Sequence, residues 1–204
     1  MGVLSPWLKE DPAPPSVRAT AALAMYLSQQ GGVDDARDIL LEVEGEGGEE
    51  GVVRALVGTV FILANETEEA VATLSEGAGA EDLECIALLV QLCLALDRRD
   101  LAQGQYNIAK KIGNDSTLVQ SIEAWIGLKT GARPLHQAYY FYEELYQLPN
   151  GRIPPVLAAH AAAHLLLGHV DEAKADIDEA KQRGADDPAV LAVATSLGDV
   201  DAEA

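Results

Sequence analysis

Five short segments, each closing on an alanine, recur along the chain at nearly constant spacing. They are GGVDDA at Ala36, NETEEA at Ala70, DRRDLA at Ala102, RPLHQA at Ala138 and GHVDEA at Ala173. Successive alanines lie 34, 32, 36 and 35 residues apart. A recurrence of this length makes each repeat one supersecondary unit, which buries its apolar face only by stacking on its neighbours. Four residues after each alanine stands a bulkier side chain: Leu40, Leu74, Tyr106, Tyr142 and Ile177. Before the turns lie apolar, alanine-rich stretches such as VRATAALAMYLSQQ, VRALVGTVFILA, LECIALLVQLCLAL and VLAAHAAAHLLL.

These observations predict a helix–turn–helix unit. Helix A precedes each turn, and helix B starts at the acidic residues, where negative charge suits a helix N-terminus. The small residue early in helix B admits helix A closely, and the large one a turn later fills the space beyond. This is the logic of the tetratricopeptide repeat. The expected fold is all-α, a right-handed solenoid of about five such units over residues 16–198. Residues 1–15, with Pro12, Pro14 and Pro15, read as extended or disordered, and residues 199–204 as an acidic tail. EGEGGEEG, from Glu44 to Gly51, reads as a loop. Asn114 to Thr117 and Pro149 to Pro155 read as breaks between repeats, carrying capping residues and prolines.

A formal net charge of −19, from 33 acidic and 14 basic residues, argues against nucleic acid, whose phosphates demand a basic stripe. It also argues against direct contact with anionic membrane, so membrane association is expected only through a partner. The 49% apolar content argues against general disorder. Cys85 and Cys93 lie in one apolar run without CxxC spacing and read as buried thiols of a reducing compartment. The N-terminal stretch lacks the basic and apolar regions of a signal peptide. Its Met-Gly start has Pro6 where myristoylation requires Ser or Thr. With no apolar run of membrane-spanning length, the expected setting is intracellular.

No catalytic residues, cofactor or metal are expected. His160 and His164 in HAAAH stand one helical turn apart, a spacing that can grip an ion from two sides. No HExxH pattern is present, no third ligand has an obvious position, and His169 is the only neighbour of suitable type. Packing or groove lining is the favoured role. Asp171–Glu172 and Glu143–Glu144 read as solvated faces. No glycine-rich phosphate loop and no Ser/His/Asp or Cys/His arrangement is visible.

In arrays of this kind helix A lines a concave surface where recognition takes place. Counting from the five alanines, the partner-binding candidates are Met25, Thr59, Ile62, Gln91, Leu94, Trp125 and Leu128. The set lacks the Lys, Arg and Asn needed to hold a peptide carboxylate. Trp125 reads equally as groove anchor or inter-repeat core. The aromatic stretch LHQAYYFYEELYQL resolves in the same register. Leu135, Ala138, Tyr142, Leu145 and Tyr146 share a packing face with Tyr139 at its edge, while Tyr140 and Phe141 point outward.

The run LECIALLVQLCLALDRRDLA, followed by AWIGLKTG, QAYYFYEEL and AAAHLLLGHVDEA, resembles the epsilon subunits of coatomer, the COPI vesicle coat, from about Val17 to Leu197. The resemblance implies a non-enzymatic scaffold that grips a β-hairpin in the C-terminal domain of the coatomer alpha subunit. It further implies a stable hetero-complex in Golgi-to-endoplasmic-reticulum transport, cytoplasmic and peripheral on Golgi membranes and vesicles. The alternative is a tetratricopeptide adaptor or co-chaperone binding another partner's peptide. The last apolar segment, DDPAVLAVATSLGDV, supplies a sixth helix A without a polar outer face, so a partner or further chain is expected to cover it. An isolated chain that stayed monomeric at high concentration and bound no hydrophobic dye would overturn that expectation.

Overall fold

The computed structural model describes residues 13–43 and 50–203, with the side chains of Val43 and of residues 199–203 left out. The expectations for residues 1–12 and 44–49, and for the side chains of the acidic tail, lie outside the described residues. The helices follow the repeat: α1 (Pro15–Leu27) with α2 (Val33–Val43), α3 (Glu50–Leu63) with α4 (Thr67–Ser75), and α5 (Leu83–Ala95) with α6 (Arg99–Gly113). Then come α7 (Thr117–Thr130) with α8 (Ala132–Gln147), α9 (Pro154–Leu167) with α10 (Val170–Gly184), and a single α11 (Pro188–Glu203). The described residues form no strand, and the fold is the expected tetratricopeptide-like helical repeat.

Each anchor alanine is where a hairpin closes. Ala36, Ala70, Ala102 and Ala173 are fully buried, and Ala138 is 1% exposed. Leu74, Tyr106, Tyr142 and Ile177 are buried one turn later, and Leu40 is half-buried against the same core. Two hairpins add a glycine on the opposing helix. A Cβ on Gly58 would come within 2.5 Å of Leu74, and one on Gly127 within 2.5 Å of the Pro134 carbonyl.

Four of the five A-to-B turns share one conformation. Gln29, Asn65 and Asp97 adopt φ near +60° (59°, 61° and 55°) and Gly168 adopts 83°. In each, two amide donors reach back into the last turn of helix A. Asn65 N–H donates to the Ile62 carbonyl and Glu66 N–H to that of Phe61; Asp97 and Arg98 repeat the pattern on Leu94 and Cys93, and Gly168 and His169 on Leu165 and His164. This satisfies carbonyls the helix end leaves open and reverses the chain within few residues. The α7–α8 turn is built differently, on Gly131 and Ala132, both at positive φ. That matches the unlike sequence of its turn segment, RPLHQA.

Helix starts follow local chemistry. Asp82 accepts from the amides of Glu84 and Cys85, both at 2.9 Å, to cap α5, and Asp187 does the same for α11. Ser116 accepts from Leu118 at the start of α7, and Pro154 and Pro155 open α9. One boundary needs correction: the loop read over Glu44 to Gly51 ends sooner, because α3 already begins at Glu50. Glu50 is buried there against Arg54 one turn on (2.7 Å). Arg54 also donates to the Thr73 carbonyl at 3.0 Å, and Ala78 N–H donates to Glu50. The pair ties α3 to a short 3₁₀ turn, Gly77–Glu81, that leads into α5.

The chain forms two compact units, Met1–Val119 and Gln120–Ala204. In the first, α1, α2 and α3 share a core of Ala19, Ala22, Ala36, Ile39, Val53, Val57, Val60 and Phe61. In the second, Leu157, Ala158, Ala161, Ala173, Ile177 and Val190 join α9, α10 and α11. On α11, Val190 and Leu197 are buried while Leu191 is half exposed. Both cysteines are buried free thiols on α5, and burial raises the Cys85 pKa to about 12.

Two measurements check these assignments. Arg54→Leu leaves Glu50 buried without its partner and is expected to lower unfolding free energy in urea by about 3–5 kcal/mol, with a smaller loss when Glu50 is also made Leu. Neither cysteine should react with a disulfide-exchange reagent at pH 8 until denaturant is added, because burial holds both in the thiol form.

Candidate functional site

The seven positions predicted to meet a partner fall in different environments. In the first unit, Gln91 is exposed on α5, and Met25 on α1 and Thr59 on α3 are half-buried. Ile62 is also half-buried and packs on the α1–α3 core, whereas Leu94 is only 6% exposed. The Thr59 hydroxyl donates to the Ala55 carbonyl at 2.7 Å, one turn back in its own helix. In the second unit, Trp125 and Leu128 on α7 are half-buried and pack against Ala124, Ala138 and Tyr142. Burial raises the Tyr142 pKa to about 12, with Trp125 beside it acting in the opposite direction. Trp125 thus has one edge in the α7–α8 core.

The aromatic face of α8 largely follows its register. Leu135, Ala138 and Tyr142 are buried, and Tyr140 is 66% exposed. Phe141 is a correction. It is half-buried and packs on the Ala124–Ala138–Tyr142 cluster, because it stands at the third position after the anchor alanine, still within reach of the inner face.

A second correction concerns the carboxylates around the histidines, which themselves pack as expected. His160 and His164 lie on the inner side of α9, at 3% and 8% exposure, with their rings 4.5 Å apart. Tyr139 and Tyr146 of α8 stack near-parallel on His160, at 5.6 Å and 5.0 Å between centroids. Glu143 does not belong to a solvated face: its carboxylate lies 3.0 Å from His160 Nε2, while its other oxygen accepts from Gln147 at 2.7 Å. Asp176 of α10, also buried, places Oδ2 at 2.8 Å from His160 Nδ1. His169 Nδ1 stands 3.3 Å from His164 Nδ1. Asp176 supplies the third donor that sequence spacing left without a position, and ligand atoms of His160, His164 and Asp176 lie within 4.8 Å of one another.

The electrostatics of this cluster are opposed. Burial disfavours charge on His160, but the Asp176 and Glu143 carboxylates outweigh it and raise its pKa above the ordinary value. Burial and the neighbouring His160 lower that of His164. Glu143 is held below the usual carboxylate range by the Gln147 bond first and His160 second. A signal for Asp176 was present in the sequence. It occupies the third position after Ala173, as Ile39 and Thr73 do after their alanines, and both of those are buried. An acid at an inward position calls for a partner, and the histidines of α9 are that partner.

A family model for the coatomer epsilon subunit matches residues 7–200. The chain is 28% identical over 186 residues to coatomer subunit epsilon-1 of Arabidopsis thaliana, covering 90% of this chain and 62% of the relative. It is 31% identical over 182 residues to coatomer subunit epsilon-1 of Oryza sativa subsp. japonica (87% and 60%). With coatomer subunit epsilon of Dictyostelium discoideum it shares 27% over 167 residues (78% and 53%). The chain therefore spans about three fifths of the length of the curated relatives it matches. A tetratricopeptide repeat protein of known crystal structure from Parabacteroides merdae superposes with a TM-score of 0.68 over 98% of this chain and 78% of its own, at 13% identity, a likeness of fold alone.

The packing of Trp125 on the Ala124–Ala138–Tyr142 cluster gives a direct check. Tyr142→Ala is expected to cost about 3–5 kcal/mol of stability in urea and to alter Trp125 emission, measured with Trp7 replaced by Phe.

Proposed function

Because the chain belongs to the coatomer epsilon subunit family, we propose that it is a non-enzymatic scaffold subunit of the COPI vesicle coat, binding and stabilising the C-terminal domain of the coatomer alpha subunit. What carries this reading is the match of the family model along nearly the whole chain, residues 7–200. The role belongs to Golgi-to-endoplasmic-reticulum transport, in a stable hetero-complex that is cytoplasmic and peripheral on Golgi membranes and vesicles. Two physical features support it. The net charge of −19 disfavours anionic lipid, so membrane contact would run through the coat, and no helix among the described residues is long and apolar enough to cross a membrane. The helix A candidates Met25, Thr59, Ile62, Gln91 and Leu94 of the first unit, and Trp125 and Leu128 of the second, are uncharged, which suits a neutral hairpin better than a charged peptide end.

Burial decides which of these can be tested cleanly. An aspartate at Leu94 would place a carboxylate in the core and report on folding. Gln91→Asp and Met25→Asp put the charge on accessible or half-buried surface instead. With purified coatomer alpha C-terminal domain as the probe, calorimetry is expected to give a one-to-one complex. Each substitution should weaken it about tenfold or more while helical circular dichroism stays unchanged. Affinity should change little as salt rises from about 0.15 to 0.5 M, because the candidate contact positions carry no charge to screen. A steep salt dependence, or no binding to that domain, would favour the adaptor alternative.

A further inference from the structure

We propose that His160, His164 and Asp176 form a binding site for one divalent transition-metal ion of the zinc class, clamping α9 to α10. The argument starts from the His160 tautomer. Its Nε2 lies 3.0 Å from Glu143 Oε2, a carboxylate that can only accept at neutral pH, so the ring proton belongs on Nε2. That leaves a lone pair on Nδ1 facing the Asp176 Oδ2 lone pair at 2.8 Å, in a site where His160 and Asp176 are 3% and 7% exposed. Two acceptors this close repel unless a cation serves both.

A second proton on His160 would serve, but it requires Oδ2 on the Nδ1–H axis. The two atoms are close without that alignment, and neither has a hydrogen-bond partner among the described residues. Proximity without collinearity is what two ligands of one ion show, since both lone pairs converge on a third point rather than on each other. Zinc bound by nitrogen and oxygen at about 2.0–2.2 Å in a tetrahedron sets neighbouring ligand atoms about 3.3 Å apart. The three donor atoms, all within 4.8 Å of one another, need only small side-chain shifts to reach that spacing.

The surroundings are those of a ligand histidine. Glu143 on Nε2 forms the carboxylate–histidine pair that fixes tautomer and ring orientation at metal sites, and it raises the basicity of the ligating nitrogen. Tyr139 and Tyr146 stack on the ring and hold its plane. Imidazole and carboxylate donors suit zinc and its neighbours rather than calcium or magnesium. The fourth position falls to water or to His169, 3.3 Å from His164 and exposed at the head of α10. The site lies within the second unit, so its test does not require the proposed coat partner.

The test uses the untagged full chain, stripped with chelator and titrated with zinc chloride by calorimetry and with Co²⁺ by visible absorption. The expected result is one saturable site per chain, tetrahedral Co²⁺ bands, and a Tm raised by about 5 °C at saturating zinc. His164→Gln and Asp176→Asn should each weaken zinc binding by about 100-fold or more, while His136→Gln, at an exposed histidine of α8, leaves it unchanged. Absence of one-to-one binding, or affinity unchanged in both ligand variants, would overturn the proposal and leave His160 as a doubly protonated ring between two carboxylates. If a ligand variant loses its helical circular dichroism, Glu143→Gln decides. A weakening of about 10–100-fold supports the site, and unchanged affinity overturns it.

Discussion

Close approach of paired helices at one alanine per repeat is the constraint on which the remaining structure depends. With Ala36, Ala70, Ala102, Ala138 and Ala173 all buried to 1% exposure or less, each helix B is drawn tightly against its helix A. The bulky residue one turn later then fills the gap, and dispersion contacts accumulate along the interface. Gly58 and Gly127 deepen the approach from the other side. Helices held this close leave room only for a short turn, so four of the five connections place a non-glycine residue at positive φ, in three of them sustained by two returning hydrogen bonds.

The two units treat buried charge differently. In the first, Glu50 and Arg54 satisfy each other one turn apart, and the backbone of Thr73 and Ala78 completes the arrangement. No lone pair is left facing another. In the second, Glu143, His160, Asp176, His164 and His169 converge from α8, α9 and α10, and acceptors outnumber the protons a neutral cluster can supply. The first cluster closes by itself, and the second calls for an added proton or an ion. Both stand at helix-packing surfaces, where breaking one partner exposes the other to a low-dielectric interior.

Family membership and fold agree on an array of helix pairs. The proposed protein-binding role rests on the uncharged helix A positions and the strongly acidic whole. The surface is not uniform, however: Gln91 is exposed while Leu94, one turn away, is core. Position on helix A alone did not separate an exposed candidate from a packing residue on the same helix.

Periodicity in the sequence determined the number, order and approximate ends of the helices, the anchor alanines, most of the α8 aromatic register and the buried cysteines. These depend on local pattern, and a helix's face follows from spacing alone. The early start of α3 was hidden because EGEGGEEG is poor in helix formers, and only the Arg54 partner makes Glu50 a helix opener. Glu143, Phe141 and Asp176 were misjudged or missed for a related reason. Polarity predicts exposure on average, but whether a carboxylate on one helix meets an imidazole on another depends on the angle and offset at which the helices pack. That offset is set by contacts between residues far apart in the chain, and so it was decided only in the tertiary structure.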